Sequence, residues 1–339
     1  MTCTISFLPV GNADSIVIQT DDSMIVVDLG NLSVLEEWIE QHQITKIDRI
    51  YITHAHGDHF PSLPYLTDFI DDYQGKIKIE KIHLPYKAIE LAKQKISPFP
   101  NDPKNERLRL ALKCIKEWSI NREVKHSPIV LDGEVYFDKT LKIEPLHPSQ
   151  GYIESHLALS KNKLNEISVV LKVVYGEFSA ILLADIEGDG LTELLRLKTD
   201  FTSNVVKIPH HGAWPKNGKD LKTLLEFIDP EIAVLSVGSK NQHGHVKTEL
   251  FDALNNLKND SSKRLRQFIC TEVTRTCKSS PSDCSVMDKK GLSSTEKCAG
   301  EITIIAEEFG KWTLQTETNH SNIVKNFDYA ACTERADLI

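Results

Sequence analysis

The chain has 339 residues, 40% hydrophobic and 26% charged, which fits one large globular domain, or one domain with an insertion, and excludes a low-complexity or disordered chain. A formal net charge of −8 argues against a protein coated for nucleic acid. No apolar run approaches the roughly 18 residues needed to span a bilayer, and the N-terminal "MTCTISFLPVGNADSIVI" has neither a basic leader nor a small-residue cleavage site, so a cytoplasmic location is expected.

Strands and helices alternate along the chain. "TISFLPV" and "SIVIQT" are predicted strands joined by a Gly-Asn turn, and "SMIVVDLG" is a buried strand ending at Asp28-Leu29-Gly30. "SVLEEWIEQH" is a predicted helix: Ser33 and Glu36 have capping-box spacing, and Val34, Leu35, Trp38 and Ile39 share a face. "IDRIYIT" is an apolar strand, followed at once by His54, His56, Asp58 and His59, and "LPYLTDFIDDY" reads as a helix. After a strand at "KIKIEKIHLP" come two helical patterns, "YKAIELAKQKI" and "NERLRLALKCIKEW", split by the breaker "SPFPNDP". "LKIEPLHP" is a strand ending in His147-Pro148, and "ISVVLKVVYGEFSAILLADIEGDG" is a hairpin turning at Gly176 whose second strand ends at Asp185. "LTELLRL", "DLKTLLEFI" and "KTELFDALNNLK" are helices, while "SNVVKIPHHG", "EIAVLSVG", "RLRQFICTEV" and "GEITIIAEEFGKWTLQTE" are strands. The expected organisation is one domain over 1–312, with a basic helical insertion at about 76–125, a Cys-containing loop at about 270–298, and a polar tail over 313–339.

Charge is uneven. Residues 76–125 hold 13 Lys/Arg and 6 Asp/Glu, a net +7 inside a chain of −8. Such a surface suits a phosphate backbone, and it equally suits two helices with lysines on their wet faces.

Chemistry concentrates at strand ends. Asp28, His54, His147, Asp185, His210 and His211 each follow an apolar strand, where a sheet holds short loops rigidly. The run His54-x-His56-x-Asp58-His59 is the densest: His54 and His56 can converge on one ion, and Asp58 and His59 can turn to a second, with Gly57 allowing the tight turn. Neutral imidazole with carboxylate suits zinc, and also manganese or iron.

Five motifs occur in order: Asp28-Leu29-Gly30, His54-x-His56-x-Asp58-His59, Leu146-His147-Pro148, Ala184-Asp185-Ile186-Glu187 and His210-His211-Gly212. Together they resemble the metallo-β-lactamase superfamily. Asn165 before "ISVVL", and "SVGSKNQHGH" from Ser236 to His245, make the chain most similar to the metal-hydrolase domain of the bacterial DNA-uptake channel ComEC and its stand-alone relatives, over roughly residues 3–310. The resemblance implies an α/β fold, a four-layer αββα sandwich, with two divalent metal ions, zinc first and manganese as the alternative. It would place His54, His56 and His147 on one ion, and Asp58, His59 and one of His210 and His211 on the other, with Asp185 bridging; His211 is favoured because it directly precedes Gly212. Asp28 would fix a ligand imidazole through its other nitrogen. The chain departs from the pattern at Phe60-Pro61, Ala184, Ala213 and Val246, none of them a ligand position.

The expected activity is that of a metal-dependent phosphodiesterase or nuclease, using a hydroxide shared by the two ions as nucleophile. Asp58 and Asp28 are the expected carboxylates of that machinery. His245, with His243 second, would stabilise developing charge or protonate the leaving group. The partner would be a nucleic acid or nucleotide substrate; with no channel in the sequence, neither a membrane partner nor a role in DNA uptake is inherited. Hydrolysis of a small acyl substrate (thioester, lactone or lactam) and a non-catalytic binding module on the same scaffold are the alternatives.

Cys270, Cys277, Cys284 and Cys298 are spaced x6, x6 and x13, unlike the paired spacing of a zinc knuckle. Free thiols lead, with a structural zinc or a disulfide as alternatives. Cys3, Cys114 and Cys332 are isolated in sequence, Cys114 on an apolar helix face. Trp38 and Trp118 read as core, and Trp214 as either core or cleft wall.

Overall fold

The computed structural model describes residues 1–54, 56–59, 77–87, 125–159, 163–197, 200–279, 291–330 and 332–333. The helix expected at "LPYLTDFIDDY", nearly all of the two basic helical patterns, Phe60-Pro61, Cys114, Trp118 and Cys284 lie outside the described residues.

The first part of the chain forms β1 (Thr2–Phe7), β2 (Ile16–Gln19), β3 (Met24–Val27), α1 (Leu32–Gln41), β4 (Lys46–Ile47), β5 (Arg49–Tyr51), β6 (Lys78–Ile79), β7 (Lys81–Pro85) and β8 (Lys125–Ile129). There follow β9 (Tyr136–Asp138), β10 (Leu141–His147), α2 (Gln150–Ala158), β11 (Val170–Tyr175), β12 (Phe178–Leu182), α3 (Gly188–Arg196), β13 (Val205–Lys207), α4 (Gly218–Ile228), β14 (Ile232–Leu235), α5 (Thr248–Asn259) and β15 (Gln267–Cys270). The chain closes with α6 (Arg275–Lys278), β16 (Ile302–Glu307), β17 (Trp312–Thr316) and α7 (His320–Val324).

Two sheets result, ordered β17-β16-β1-β2-β3-β5-β7-β8 and β15-β14-β13-β12-β11-β10-β9, beside a small β4-β6 pair. Alternation explains the layering. Ile16, Ile18, Ile25 and Val27 point from the first sheet into a core shared with Ile143, Leu171, Val173, Leu182, Val205 and Val234 of the second. Their neighbours Val17, Met24 and Val26 point the other way, onto Leu35, Trp38 and Ile39 of α1. The outer face of the second sheet meets Leu191, Leu194, Leu221, Leu224, Leu250 and Leu254 from α3, α4 and α5. Strands apolar on both faces need cover on both sides, and the result is the four-layer αββα sandwich.

Two local expectations change. Helix α1 begins at Leu32 behind Asn31, with no side-chain cap, so Ser33 lies inside the first turn and the capping box does not form. The segment read as a tail from 313 enters the fold: Thr313–Thr316 pairs with β16 as an edge strand, and Lys258 Nζ donates to the Thr333 carbonyl at 3.1 Å. Helix α2, directly after His147-Pro148, had no clear sequence signal.

Strands β3, β5 and β7 run parallel, as do β12, β13, β14 and β15. Their C-terminal ends carry Asp28, His54, Asp185, His210-His211 and Ser236, so both sheets deliver polar residues to one edge. Thr53 and Val169 join the sheets there, Val169 N donating to Thr53 O at 3.0 Å.

Candidate metal centre

Four residues from three strand ends meet at this edge: donor atoms of Asp58, His59, Asp185 and His211 all lie within 4.8 Å of one another. His59 Nε2 is 3.2 Å from Asp185 Oδ1, and His211 Nε2 is 3.6 Å from the same oxygen and 3.7 Å from Asp58 Oδ2. A second close set is His54, His56 and Asp58, with His54 Nε2 3.1 Å from His56 Nδ1 and 3.9 Å from Asp185 Oδ2. Nitrogen and oxygen ligands about 2.0–2.1 Å from zinc sit about 3.3 Å apart in a tetrahedron, which is the scale of these separations.

The imidazoles are oriented from behind. His59 Nδ1 donates to Asp28 Oδ2 at 2.6 Å, His147 Nδ1 to the Ser168 carbonyl at 2.9 Å, and His211 Nδ1 to the Ser236 carbonyl at 3.0 Å. Each bond puts the proton on Nδ1 and leaves a lone pair on Nε2. The three Nε2 atoms and Asp185 Oδ1 are buried and have no hydrogen-bond partner among the described residues. Buried polar atoms of a folded protein rarely go unpaired; four such orphans with lone pairs to offer fit metal ions.

Asp28 is held by its own network: Oδ1 accepts from Thr53 N at 2.7 Å, and Oδ2 accepts from Thr53 Oγ1 at 2.7 Å. Asp28, Ala184, His210 and His211 have φ between 46° and 61°, a left-handed backbone unusual for side chains other than glycine. Four such residues at one edge mark strain kept where side chains must be aimed. Gly30 allows two loops to close here, since a Cβ on it would fall 2.5 Å from Asp58 O and 2.8 Å from Asp14 O.

Electrostatics follow from burial and charge. Burial would raise Asp185 and Asp58, yet the imidazoles of His59 and His211 hold both carboxyls below their usual range. Burial pushes His54 well down, helped by His59. It lowers His147 to about 4. At His59 burial is outweighed by Asp185 and Asp28, and its pKa rises, so without metal Nε2 also carries a proton, which an ion would have to displace to use that lone pair.

Of the expected site residues, His54, His56, Asp58, His59, Asp185 and His211 come together. His147 lies fully buried outside these close sets, its ring 5.4 Å from that of Tyr152. His210 turns outward: its side chain is 28% exposed and its Nδ1 bonds Glu187 Oε2 at 3.2 Å, with Nε2 3.9 Å from Asp185. The geometry therefore puts His211 rather than His210 in the close set. His245 is buried with its ring 5.5 Å from that of His210; Asn241 Oδ1 accepts from its backbone N at 3.1 Å, and its bond to Val246 is cis. His243 is exposed and outside the cluster. Trp214 packs on the helical side of the second sheet and over Gly218.

Two residues escaped the sequence reading. Lys207, fully buried at the end of β13, forms an ion pair with Asp14, also buried. Asp14 lies 3.8 Å from His59 Nδ1 and 3.9 Å from His211 Nδ1. A lysine between apolar neighbours in "VVKIP" is the one hint the sequence offered.

Residues 8–134 match the family model for the metallo-beta-lactamase superfamily. A metallo-β-lactamase superfamily domain is thus matched over that stretch, less than half of the chain. The chain is 27% identical over 221 residues to ComE operon protein 3 of Bacillus subtilis (65% of this chain, 24% of that protein), the ComEC-like match its motifs lead one to expect. It is 34% identical over 87 residues to ribonuclease Z of Pyrococcus abyssi, covering 25% of this chain and 27% of that one. The matches thus span about a quarter of either curated relative. Among solved structures it is similar to the metallo-beta-lactamase fold protein YhfI of Bacillus subtilis, with 11% identity, a TM-score of 0.43, and coverage of 69% of this chain and 86% of that one. The superfamily is one of metal-dependent hydrolases, and the His/Asp sets described above are where its divalent ions would be held. Among the described residues no helix is long and apolar enough to cross a membrane.

Proposed function

We propose that this chain is a phosphodiesterase acting on nucleic acid or a nucleotide, with two divalent ions held by His54, His56, Asp58, His59, His147, Asp185 and His211. The observation that carries the reading is the set of orphaned donor atoms on His59, His147, His211 and Asp185, with His245 packed against the neighbouring His210. The match to a ribonuclease supports phosphoryl chemistry over acyl chemistry, and the +7 segment at 76–125 supports a polyanionic substrate.

When bound, such ions supply a water of lowered pKa and a Lewis acid for the oxygen of the scissile group. The chain's own residues do the rest. Asp28, Ser168 and Ser236 keep the ligand imidazoles in one tautomer, so their lone pairs face inward without reorganisation. Lys207 offsets the charge of Asp14, leaving Asp185 and Asp58 as the anions directed at the centre. His245 is neutral at pH 7, because burial and then His210 lower it to about 3. A neutral imidazole has one N–H, so His245 acts here as a hydrogen-bond donor to the developing oxyanion, not as a proton source.

The test is hydrolysis of bis(p-nitrophenyl) phosphate, a thioester and nitrocefin by the full chain charged with zinc or manganese, with and without chelator. Chelator-sensitive cleavage of the phosphodiester alone is expected. Turnover confined to the thioester or nitrocefin would transfer the chain to the acyl hydrolases, and no turnover of any of them would favour the binding module.

A further inference from the structure

Outside this centre, the structure gathers cysteines that the sequence keeps apart. Cys332, isolated near the C-terminus, lies with its Sγ 3.7 Å from Cys270 Sγ at the end of β15. The donor atoms of Cys298, His320 and Cys332 all lie within 4.8 Å of one another, and Cys270, outside that close set, adjoins it through Cys332. We propose that Cys270, Cys298, His320 and Cys332 form a second, structural metal site that takes one zinc ion.

Geometry, burial and chemistry each support it. A disulfide requires sulfurs about 2.05 Å apart, whereas two thiolates about 2.3 Å from a tetrahedral zinc sit about 3.8 Å apart; the 3.7 Å separation matches the second. All four residues are at least nine-tenths buried, His320 at 6% exposure and the cysteines at 2–3%. His320 Nε2 has no hydrogen-bond partner among the described residues, and an imidazole in an apolar core without a partner is costly. Three thiolates and one imidazole are a common closed structural set for zinc, with no position open to substrate. The set is chemically separate from the His/Asp centre, which has no sulfur donor.

The four donors come from segments that share little else: a strand end, the loop before β16, the first turn of α7 and the chain's last described residues. The backbone already holds them in register. Cys298 N donates to Thr271 O at 3.0 Å, and Gln267 Nε2 donates to Cys332 O at 2.7 Å. Cys277, buried in the same core, is engaged with Thr274 Oγ1 at 3.6 Å and falls outside the proposed set. Binding would release the protons of the three coordinating thiols, so zinc uptake should weaken as pH falls.

The test uses cobalt as a reporter, because only a sulfur-ligated ion gives thiolate-to-cobalt charge-transfer absorption. Metal-depleted full chain reconstituted with Co(II) should show this band, and so should Asp185→Ala, in which the hydrolytic centre is disabled. The pair Cys298→Ser/Cys332→Ser should lose it. Its absence from the cobalt-loaded wild-type chain would overturn the proposal, as would a Cys270–Cys332 disulfide in non-reduced peptide maps. Should the double variant fail to fold, organomercurial titration of the wild-type zinc protein decides. Release of one zinc as the thiols react supports the site; thiol modification without zinc release overturns it.

Discussion

Replacing Asp28 by Asn changes one atom and removes one charge, and the structure says what that costs. The carboxylate accepts three hydrogen bonds, from His59 Nδ1 at 2.6 Å, Thr53 N at 2.7 Å and Thr53 Oγ1 at 2.7 Å. An amide oxygen can keep the backbone bond, and the Thr53 hydroxyl can turn to accept from the new NH2. His59 Nδ1–H then faces another donor. Losing a charge-assisted hydrogen bond costs about 1.5–3 kcal/mol, and orphaning a buried donor about 1–3 kcal/mol, so a loss of about 2.5–6 kcal/mol is expected. His59 can escape by moving its proton to Nε2, but that nitrogen must offer the lone pair, so zinc affinity should fall about 10–100-fold. Urea unfolding of metal-free Asp28→Asn measures the first effect, and competition against a chromophoric chelator the second. Wild-type stability together with wild-type affinity would refute the role given to Asp28.

Asp58→Ala and His56→Ala should each abolish hydrolysis with circular dichroism unchanged; retained turnover in purified, metal-defined protein would count against the site. In the metal-free chain His147, held at about 4 against 6.5 when unfolded, binds a proton more readily unfolded than folded. Its contribution is therefore full above about pH 6.5 and lost as pH falls toward about 4, at most about 3 kcal/mol. The stability gap between wild type and His147→Gln should accordingly be wider at about pH 7 than at about pH 5 in urea titrations. Lys207→Met strands the buried Asp14 carboxylate and should cost about 3–5 kcal/mol, with Asp14→Asn in the same chain recovering part of it in thermal unfolding.

Where chemistry is local, the sequence declared it. His54, His56, Asp58 and His59 sit within one turn, and the short span leaves their side chains little freedom to diverge. Asp28, Asp185 and His211 were legible for another reason: each ends an apolar strand, and strand ends of layered folds collect at one edge. Helix α1 was placed by its buried face, Leu35, Trp38 and Ile39, although Ser33 misled on its start. Long-range pairing was not legible. Lys207 and Asp14 are 193 residues apart, and a single lysine in a strand has no periodicity to betray it. Cys332 and His320 looked unrelated to Cys270 because the partnership depends on a C-terminal segment read as a polar tail, whose return to the second sheet rests on contacts such as Gln267 with Cys332.

The placement of β1 has a consequence for biosynthesis. It lies between β2 and β16, with Thr2 opposite Glu307 and Phe7 opposite Ile302. While the ribosome is still translating, one side of this nascent strand exposes unpaired amides and carbonyls, a template for stray β-pairing. The first sheet is sealed only after β16 has also emerged, so its completion waits on a strand far along the chain and proceeds at the slow pace of non-local strand pairing.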